Sequence, residues 1–300
     1  MRRHSPTTFS RLKNRALPLL LALAATSTGC LYRTQRIAPP LVAARTATLE
    51  ELLPQIERFG AINTLRAEVE LGLTFLNDDM DRAKTLTDVR GFILAERPDH
   101  ARIQAQYPVT NQTAFDMVSD HDEFSVYLVW RKRFFQGATA LDERSDERAE
   151  NIRAQHIVEP LLIEPPQSGE TAALDNMARN GRLYHVVVFQ KEQGGNAVIT
   201  RKFWFDRADR RIGMLEIYDG DGNIVTQASY SDWRESGEAP YPATVSITRP
   251  ADGYSLVIHM EDPGINAELP ADAFVLDPPP GVPVERVGGT AKPAAQLSIR

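Results

Sequence analysis

The chain contains a single cysteine, Cys30, among its 300 residues. One thiol cannot form an internal disulfide, which excludes a disulfide-stapled scaffold. The six histidines are scattered, and the sequence has neither a Gly-x-Ser-x-Gly elbow nor a phosphate-binding glycine loop, the patterns typical of hydrolases and nucleotide-binding enzymes. We therefore expect no catalytic residues, no cofactor and no enzymatic activity.

Long apolar runs and basic clusters are also missing. A membrane-spanning helix needs about 20 apolar residues, whereas the run from Ala16 to Ala25 is shorter and no later segment is long enough. Nucleic-acid binding requires a basic face, and the lysine and arginine residues of this acidic chain do not gather into one. The sequence predicts neither a transmembrane helix nor a nucleic-acid partner.

The N-terminal residues form three consecutive zones. Basic residues precede the apolar run, and the small residues Thr26 to Gly29 follow it up to Cys30. This order predicts a secretory signal peptide over residues 1–29, cut before Cys30 by lipoprotein signal peptidase so that Cys30 becomes the site of lipid attachment. The alternative is an ordinary secretory signal in which Cys30 only lies near the cut. Two or three acyl chains would hold the chain stably, because each buried methylene contributes about 0.8 kcal/mol.

The residues after the cleavage site indicate where the mature chain resides and how it is organised. The signal region carries five positive and no negative charges, so its removal lowers the net charge from −6 to about −11. Leu31, rather than a retaining aspartate, follows the cysteine, which favours the outer membrane and a periplasm-facing location. Residues 30–46 contain Pro39-Pro40 and no apolar period, as in a flexible tether. Residues 47–287 are predicted to form one domain and residues 288–300 a disordered tail.

Two helices are predicted in the mature chain. Thr48 and Glu51 form a capping box, and the apolar residues that follow lie on one helical face. A second helix is expected from Ser145 toward Pro160, with acidic residues near its start. The stretch from Leu161 to Gly181 shows no clear period and is interpreted as loop or short helix.

Most of the remaining sequence alternates between apolar and polar residues, the period of a half-buried strand. The first such strand carries Val69, Leu71 and Leu73 on one face. Five further runs precede the second helix: Thr87 to Ala95, Ala101 to Gln106, Ala114 to Ser119, Glu123 to Val129 and Arg133 to Gly137. Five or six more strands are expected from the runs Leu183 to Gln190, Ala197 to Asp206, Arg211 to Tyr218, Ile224 to Trp233, Ala243 to Arg249 and Tyr254 to Glu261, so about eleven strands are expected in all. A twisted antiparallel sheet of this size curls or closes. The predicted fold class is therefore mainly β (α+β), an unclosed half-barrel with two or three lid helices over an apolar cavity.

Two acidic turns contain residue types that can bind metal ions. Asp219 to Asn223 begins like a calcium loop, but Ile224 occupies the position that requires glycine, so a hairpin turn is favoured. Asp120, His121, Asp122 and Glu123 are adjacent in one turn, and adjacent residues rarely converge on one ion. The sequence on its own therefore predicts no metal.

Several short motifs, taken in order, resemble the LolA/LolB superfamily of outer-membrane lipoprotein carriers and receptors. They are Gly91-Phe92-Ile93-Leu94-Ala95-Glu96-Arg97-Pro98, Phe115-Asp116-Met117-Val118-Ser119-Asp120, Glu123-Phe124-Ser125-Val126-Tyr127, Arg201-Lys202-Phe203-Trp204-Phe205-Asp206, Ile217-Tyr218-Asp219, and Asn266 to Pro270 with the terminal Phe274 and Pro278-Pro279. The resemblance spans roughly Leu65 to Val287.

The resemblance implies an unclosed β-barrel whose helices form a lid over a hydrophobic cavity that binds lipoprotein acyl chains. Arg97 matches the arginine that hydrogen-bonds the lid backbone in the carrier, and the five donors of a guanidinium suit that role. The alternative is that Arg97-Pro98 forms only the exposed end of a strand. The residues expected to line the cavity are Val69, Leu71, Leu73, Phe124, Val126 and Phe203.

The expected function is therefore binding of lipid or lipoprotein acyl chains by a membrane-anchored, periplasm-facing lipoprotein, in lipoprotein or lipid sorting to the outer membrane. The alternative is an envelope interaction or stress-sensor module of the RseB kind, which would use the same fold to bind an envelope protein partner. Neither function includes an enzymatic step.

Substitution Cys30→Ala tests the anchor. Because acylation requires the thiol, we expect metabolic labelling with radioactive palmitate to mark the wild-type chain and not the variant. The neighbouring substitution Ser27→Ala serves as a control and should leave labelling intact. Palmitate incorporation into the Cys30→Ala chain would contradict the assignment.

Overall fold

The computed structural model describes residues 44–75, 84–107, 110, 112–139, 151–235 and 240–287. The predicted signal peptide, Cys30, most of the tether and the C-terminal tail lie outside these ranges. In the described ranges, no helix combines the length and apolar character needed to cross a bilayer.

Two short α-helices accompany the strands. Helix α1 spans Leu49–Glu57 and continues into a 3₁₀ helix at Arg58–Ala61. The predicted capping box is present: the Glu51 N–H donates to the Thr48 hydroxyl, and the Glu51 carboxylate accepts from the Thr48 N–H at 2.9 Å. Helix α2 spans only Ala154–Val158. The helix predicted from Ser145 is therefore shorter than expected where it is described, and residues 145–150 lie outside the described ranges.

The described chain also contains fourteen β-strands and a 3₁₀ turn at Val129–Arg131. The strands are β1 (Thr64–Phe75), β2 (Lys84–Glu96), β3 (His100–Gln106), β4 (Thr113–Asp120), β5 (Glu123–Leu128), β6 (Arg133–Ala138), β7 (Glu170–Arg179), β8 (Arg182–Gln193), β9 (Asn196–Asp206), β10 (Ile212–Tyr218), β11 (Ile224–Arg234), β12 (Tyr241–Arg249), β13 (Tyr254–Ile265) and β14 (Val284–Val287).

The strands form one sheet in the order β14-β6-β5-β4-β3-β2-β1-β13-β12-β11-β10-β9-β8-β7. It consists of two antiparallel meanders, β1 to β6 and β7 to β13, joined where β1 pairs with β13. Only β14 lies parallel to its neighbour, β6. Because β7 and β14 end the sheet without pairing, the mainly β, unclosed architecture predicted from the sequence is confirmed.

The sequence pattern does not predict β7 and β14, and the described sheet has fourteen strands where about eleven are expected. Strand β7 lies in the stretch interpreted as loop or short helix. Its residues are largely exposed because it is an edge strand, and only Ala172 and Leu174 pack against the core. Strand β14 has four residues, too few to show a period. Strand β7 is thus not predicted because few of its residues are buried, and β14 because it is too short.

Residues that face each other in neighbouring strands lie on the same side of the sheet, which assigns one face as apolar. Val69 pairs with Met260, Met117 with Val126, and Phe203 with Leu215. All of these side chains belong to one buried cluster, which we call the inner face. A smaller cluster of Val186, Trp204 and Met214 lies on the opposite, outer face. The sheet thus buries one side almost completely and the other only locally.

Gly91 in β2 allows close approach of the backbone of β3. A Cβ built on Gly91 would lie 2.1 Å from the carbonyl oxygen of Gln104. That atom is part of the ladder between the two strands and cannot move without disturbing it.

We therefore expect Gly91→Ala to lower the free energy of unfolding by about 1–3 kcal/mol, the usual cost of overpacking. Gly72→Ala is the matched control, because a Cβ on Gly72 in the adjacent strand would meet nothing within 4 Å. That change should be neutral or stabilise the fold by up to about 1 kcal/mol. Urea denaturation of the two variants measures the difference, and equal midpoints would contradict the expectation.

Candidate functional site

The six residues predicted to line a cavity all lie on the inner face. Each is at most 6% exposed and belongs to the same apolar cluster. They come from both meanders: Val69, Leu71 and Leu73 from β1, Phe124 and Val126 from β5, and Phe203 from β9. The structure therefore brings them onto one surface, and their contact with a ligand stays a prediction.

The inner face is covered by two segments that we call the lid: α1 with its 3₁₀ extension (residues 49–61) and the stretch around α2 (residues 151–165). Leu52, Ile56 and Phe59 of the first part, and Ile157 and Ile163 of the second, are at most 3% exposed within the core cluster. These apolar side chains pack against the inner face of the sheet. The two segments therefore cover that face in the described structure.

Little open space lies beside the lid. At its rim, a cavity of about 40 Å³ is bordered by Phe59, Ile212 and Trp233. This volume accommodates a few water molecules and is far too small for an acyl chain. The sequence does not decide whether the cavity is open; in the described residues, apolar side chains of the lid pack against the inner face.

Arg97, at the start of the β2–β3 turn, holds both parts of the lid. Its side chain is 14% exposed. It donates from Nε to the carbonyl of Ile62 at 2.6 Å, from Nη1 to Glu164 Oε1 at 2.5 Å, and from Nη2 to the carbonyls of Phe59, Leu162 and Ile163 at 3.3, 3.0 and 3.0 Å. Ile62, Leu162 and Ile163 lie outside the helices, where backbone carbonyls need partners other than helical ones, and a guanidinium can satisfy several of them at once.

Arg201 grips the same lid segment from the other meander. From β9 it donates to the carbonyl of Glu164 at 2.8 Å and to that of Pro165 at 3.2 Å, and it forms an ion pair with Glu170. Burial opposes ionisation of Glu170, but hydrogen bonds from Thr200 and the backbone of residue 167, together with the charge of Arg201, outweigh it and lower its pKa. The ion pair is therefore formed at neutral pH.

Arg201 is not among the lid-contacting residues predicted from the sequence. It is a buried arginine in a strand that otherwise carries apolar residues on the same face, Phe203 and Phe205. A charged residue at an inward position of an alternating strand was the available signal, since such residues are rarely buried without a partner.

A third contact to the lid is made by Tyr230 in β11. Its hydroxyl donates to the carbonyl of Pro160 at 2.8 Å, and burial raises the pKa of this phenol well above its ordinary value. The tyrosine therefore remains neutral and can donate. The lid is thus fixed by polar contacts at its rim and by apolar packing beneath.

Comparisons with known proteins identify this architecture only at the level of structure. No protein-family model and no curated protein sequence matches the chain. A DUF1329 family protein from Desulfovibrio piger superimposes with a TM-score of 0.50 at 12% identity, over 75% of this chain and 94% of that one. The chain shares the fold of that protein.

Two further structures are similar at lower scores. A LolA superfamily protein from Nitrosomonas europaea gives a TM-score of 0.46 at 12% identity, over 77% of this chain and 99% of that one. A domain proposed to sort outer membrane lipoproteins in Vibrio parahaemolyticus gives 0.43 at 15% identity, over 75% and 96%. The superfamily that the sequence resembles is thus among the similar solved structures, and at these identities the likeness concerns the fold.

Glu159 is an acidic, half-buried residue within the lid. Burial raises its pKa, and repulsion from Glu164 adds to the effect, while the charges of Arg249 and Arg201 oppose it. A carboxyl with a raised pKa in the folded state costs stability at any pH above that pKa. The cost disappears below the ordinary value of about 4.3, where both folded and unfolded chains carry the proton.

We therefore expect Glu159→Gln to raise the thermal unfolding midpoint at about pH 7, by roughly 2 °C or more, and to leave it unchanged below about pH 4. The control Glu57→Gln replaces an exposed glutamate at the end of α1 and should shift neither midpoint. Circular dichroism melts across this pH range measure both. A Glu159→Gln midpoint at neutral pH at or below that of the wild type would contradict the burial of an ionised carboxylate.

Proposed function

We propose that the chain is a membrane-anchored, periplasm-facing lipoprotein that binds lipid or lipoprotein acyl chains on the inner face of its sheet. The observation that carries the proposal is the covering of an apolar surface, drawn from both meanders, by two separate segments that hydrogen bonds from Arg97, Arg201 and Tyr230 hold in place. The proposed function contains no catalytic step.

The chemistry of the lid interface suits an exchange of one apolar group for another. Leu52, Ile56 and Ile163 fill the concave side in the closed arrangement. An acyl chain offers the same kind of surface, so it can replace these side chains without leaving the inner face in water. Burial of apolar area contributes about 25 cal/mol per Å² irrespective of which apolar group supplies it.

The rim contacts set how easily the lid opens. A hydrogen bond contributes about 0.5–1.5 kcal/mol net, and one to a charged group about 1.5–3 kcal/mol, because water replaces the lost partner. Contacts from Arg97, Arg201 and Tyr230 therefore favour the closed lid by a few kcal/mol. A ligand that binds only the open lid can overcome a gap of that size.

The N-terminal attachment supports a location close to a membrane. The first described residues lie against the domain, where the Arg45 N–H donates to the carbonyl of Arg207 at 2.8 Å. Fourteen residues separate Cys30 from Arg45, which reach at most about 50 Å when extended. An acylated Cys30 would thus keep the domain close to the bilayer surface, where acyl-bearing ligands reside.

Binding is tested with the purified full chain after delipidation. Native mass spectrometry of the chain as isolated should reveal copurified lipid, and a fluorescent fatty acid should bind the delipidated chain saturably. Failure of both would contradict acyl-chain binding. Crosslinking in the envelope that captures one protein partner, in the absence of bound lipid, would instead favour the stress-sensor alternative.

Substitution Arg97→Leu tests the lid contact. Loss of its hydrogen bonds should populate the open lid, and each kcal/mol of destabilisation increases the open fraction, and hence fatty-acid affinity, about fivefold. The matched control is Arg102→Leu, which removes a bidentate pair with Asp116 on the outer face and should leave affinity unchanged. Equal affinities of the wild type and the Arg97→Leu chain, with both folded by circular dichroism, would exclude a role for Arg97 in closing the lid.

A further inference from the structure

Two turns at one end of the sheet bring together four potential metal ligands. The β2–β3 turn carries Asp99 and leads to His100, and the β4–β5 turn begins after Asp120 and carries His121. Because Ala101 pairs with Ser119 in the ladder between β3 and β4, the two turns are neighbours. The ligand atoms of Asp99, His100 and His121 all lie within 4.8 Å of one another.

The individual contacts place imidazole nitrogens and carboxylate oxygens close to each other. His121 Nδ1 is 2.8 Å from Asp99 Oδ1, and His100 Nε2 is 2.9 Å from Asp120 Oδ1. His121 Nε2 lies 3.9 Å from the same Asp120 oxygen, and the two imidazole rings are 4.5 Å apart. Asp99 Oδ1 is buried and has no hydrogen bond of regular geometry. A cation between these atoms would satisfy all of them.

The surrounding structure fixes one histidine and leaves the other adjustable. His100 stacks on Phe274 at 5.1 Å between ring centroids, with 24° between the planes. The side chain of His121 is 61% exposed and sits in a turn with a left-handed backbone, φ 51°. Bonds of about 2.0–2.2 Å in a tetrahedral site require donor atoms about 3.3–3.6 Å apart. On binding an ion, the pairs at 2.8 and 2.9 Å would therefore move apart by a few tenths of an ångström, an adjustment that rotation of the exposed His121 side chain and of the Asp120 carboxylate allows.

We propose that Asp99, His100 and His121, with Asp120 as fourth donor, bind one divalent transition-metal ion of the Zn²⁺ class. Imidazole nitrogens combined with carboxylate oxygens are ligands that zinc prefers, whereas calcium and magnesium select oxygen ligands alone. The adjacent residues of the β4–β5 turn do not by themselves predict a metal site, because neighbours in one turn rarely converge on one ion. The fold supplies the missing ligands from a turn about twenty residues earlier in the chain.

The ion would connect the β2–β3 turn to the β4–β5 turn, which already contact each other through Asp99 and His121. Since it binds the folded arrangement and not the separated turns, it stabilises the fold by mass action. Arg97 precedes Asp99 by two residues, so the site lies in the same turn as the arginine that holds the lid. The proposal is independent of acyl-chain binding, because none of its ligands lies on the inner face.

The test is titration of the untagged full chain with zinc chloride in an isothermal calorimeter. We expect saturable binding of one ion per chain, at least tenfold weaker in the His121→Ala chain and in the Asp99→Asn chain. The matched controls are His259→Ala, an exposed histidine of β13, and Asp122→Asn, an exposed aspartate of the same turn; both should bind as the wild type does. Thermal melts without metal verify that all four variants fold.

Cobalt provides a second readout that does not depend on affinity. Co²⁺ bound by nitrogen and oxygen in a tetrahedral site should give visible absorption that His121→Ala abolishes and His259→Ala retains. Absence of saturable zinc binding would overturn the proposal. So would binding that His121→Ala and His259→Ala weaken equally, because that would place the ion elsewhere.

Discussion

The requirement that shapes this molecule is coverage of one apolar face of an open sheet. A sheet with one hydrophobic side must bury that side against another layer, and fourteen strands in an unclosed arrangement cannot do so by closing on themselves. The layer is supplied by α1 and by the stretch around α2, both too short to be stable alone. The helices are stabilised by packing against the sheet, and the apolar face of the open sheet is kept from water by the helices.

Apolar packing covers the inner face but is not directional, so it does not fix the position of each lid residue. The hydrogen bonds from Arg97 and Arg201 are directional and do fix it. Arg97 comes from the first meander and Arg201 from the second, and both donate to the segment at residues 162–165. The planar fork of arginine can bond several carbonyls in fixed directions, which the single ammonium of lysine cannot. Hydrogen bonds from both halves of the sheet therefore fix the position of this segment.

Much of this architecture could be predicted from local patterns, and what could not depends on contacts distant in sequence. Twelve strands follow from alternation because each buries one face, whereas β7 is exposed along most of its length and shows no such pattern. The role expected for Arg97 follows from the resemblance to a known family, whereas the partners of Arg201 lie 31 to 37 residues before it, in the stretch from Leu161 to Gly181 that shows no clear period. The proximity of His121 to Asp99 likewise depends on the pairing of β3 with β4, which no spacing of adjacent residues reveals.

Arginine side chains of the sheet and its turns hold α1 at both of its ends. Before the helix, Arg207 Nε donates to the carbonyl of Arg45 at 3.0 Å and Arg210 Nη2 to that of Thr46 at 2.7 Å. After the helix, Arg97 holds the carbonyls of Phe59 and Ile62. The first pair of contacts joins the residues just before α1 to the β9–β10 turn, and the Arg97 contacts join the residues just after it to the β2–β3 turn. Both ends of α1 are therefore fixed to the sheet by arginine side chains that donate to backbone carbonyls, and the helix does not depend on its own few residues for its position.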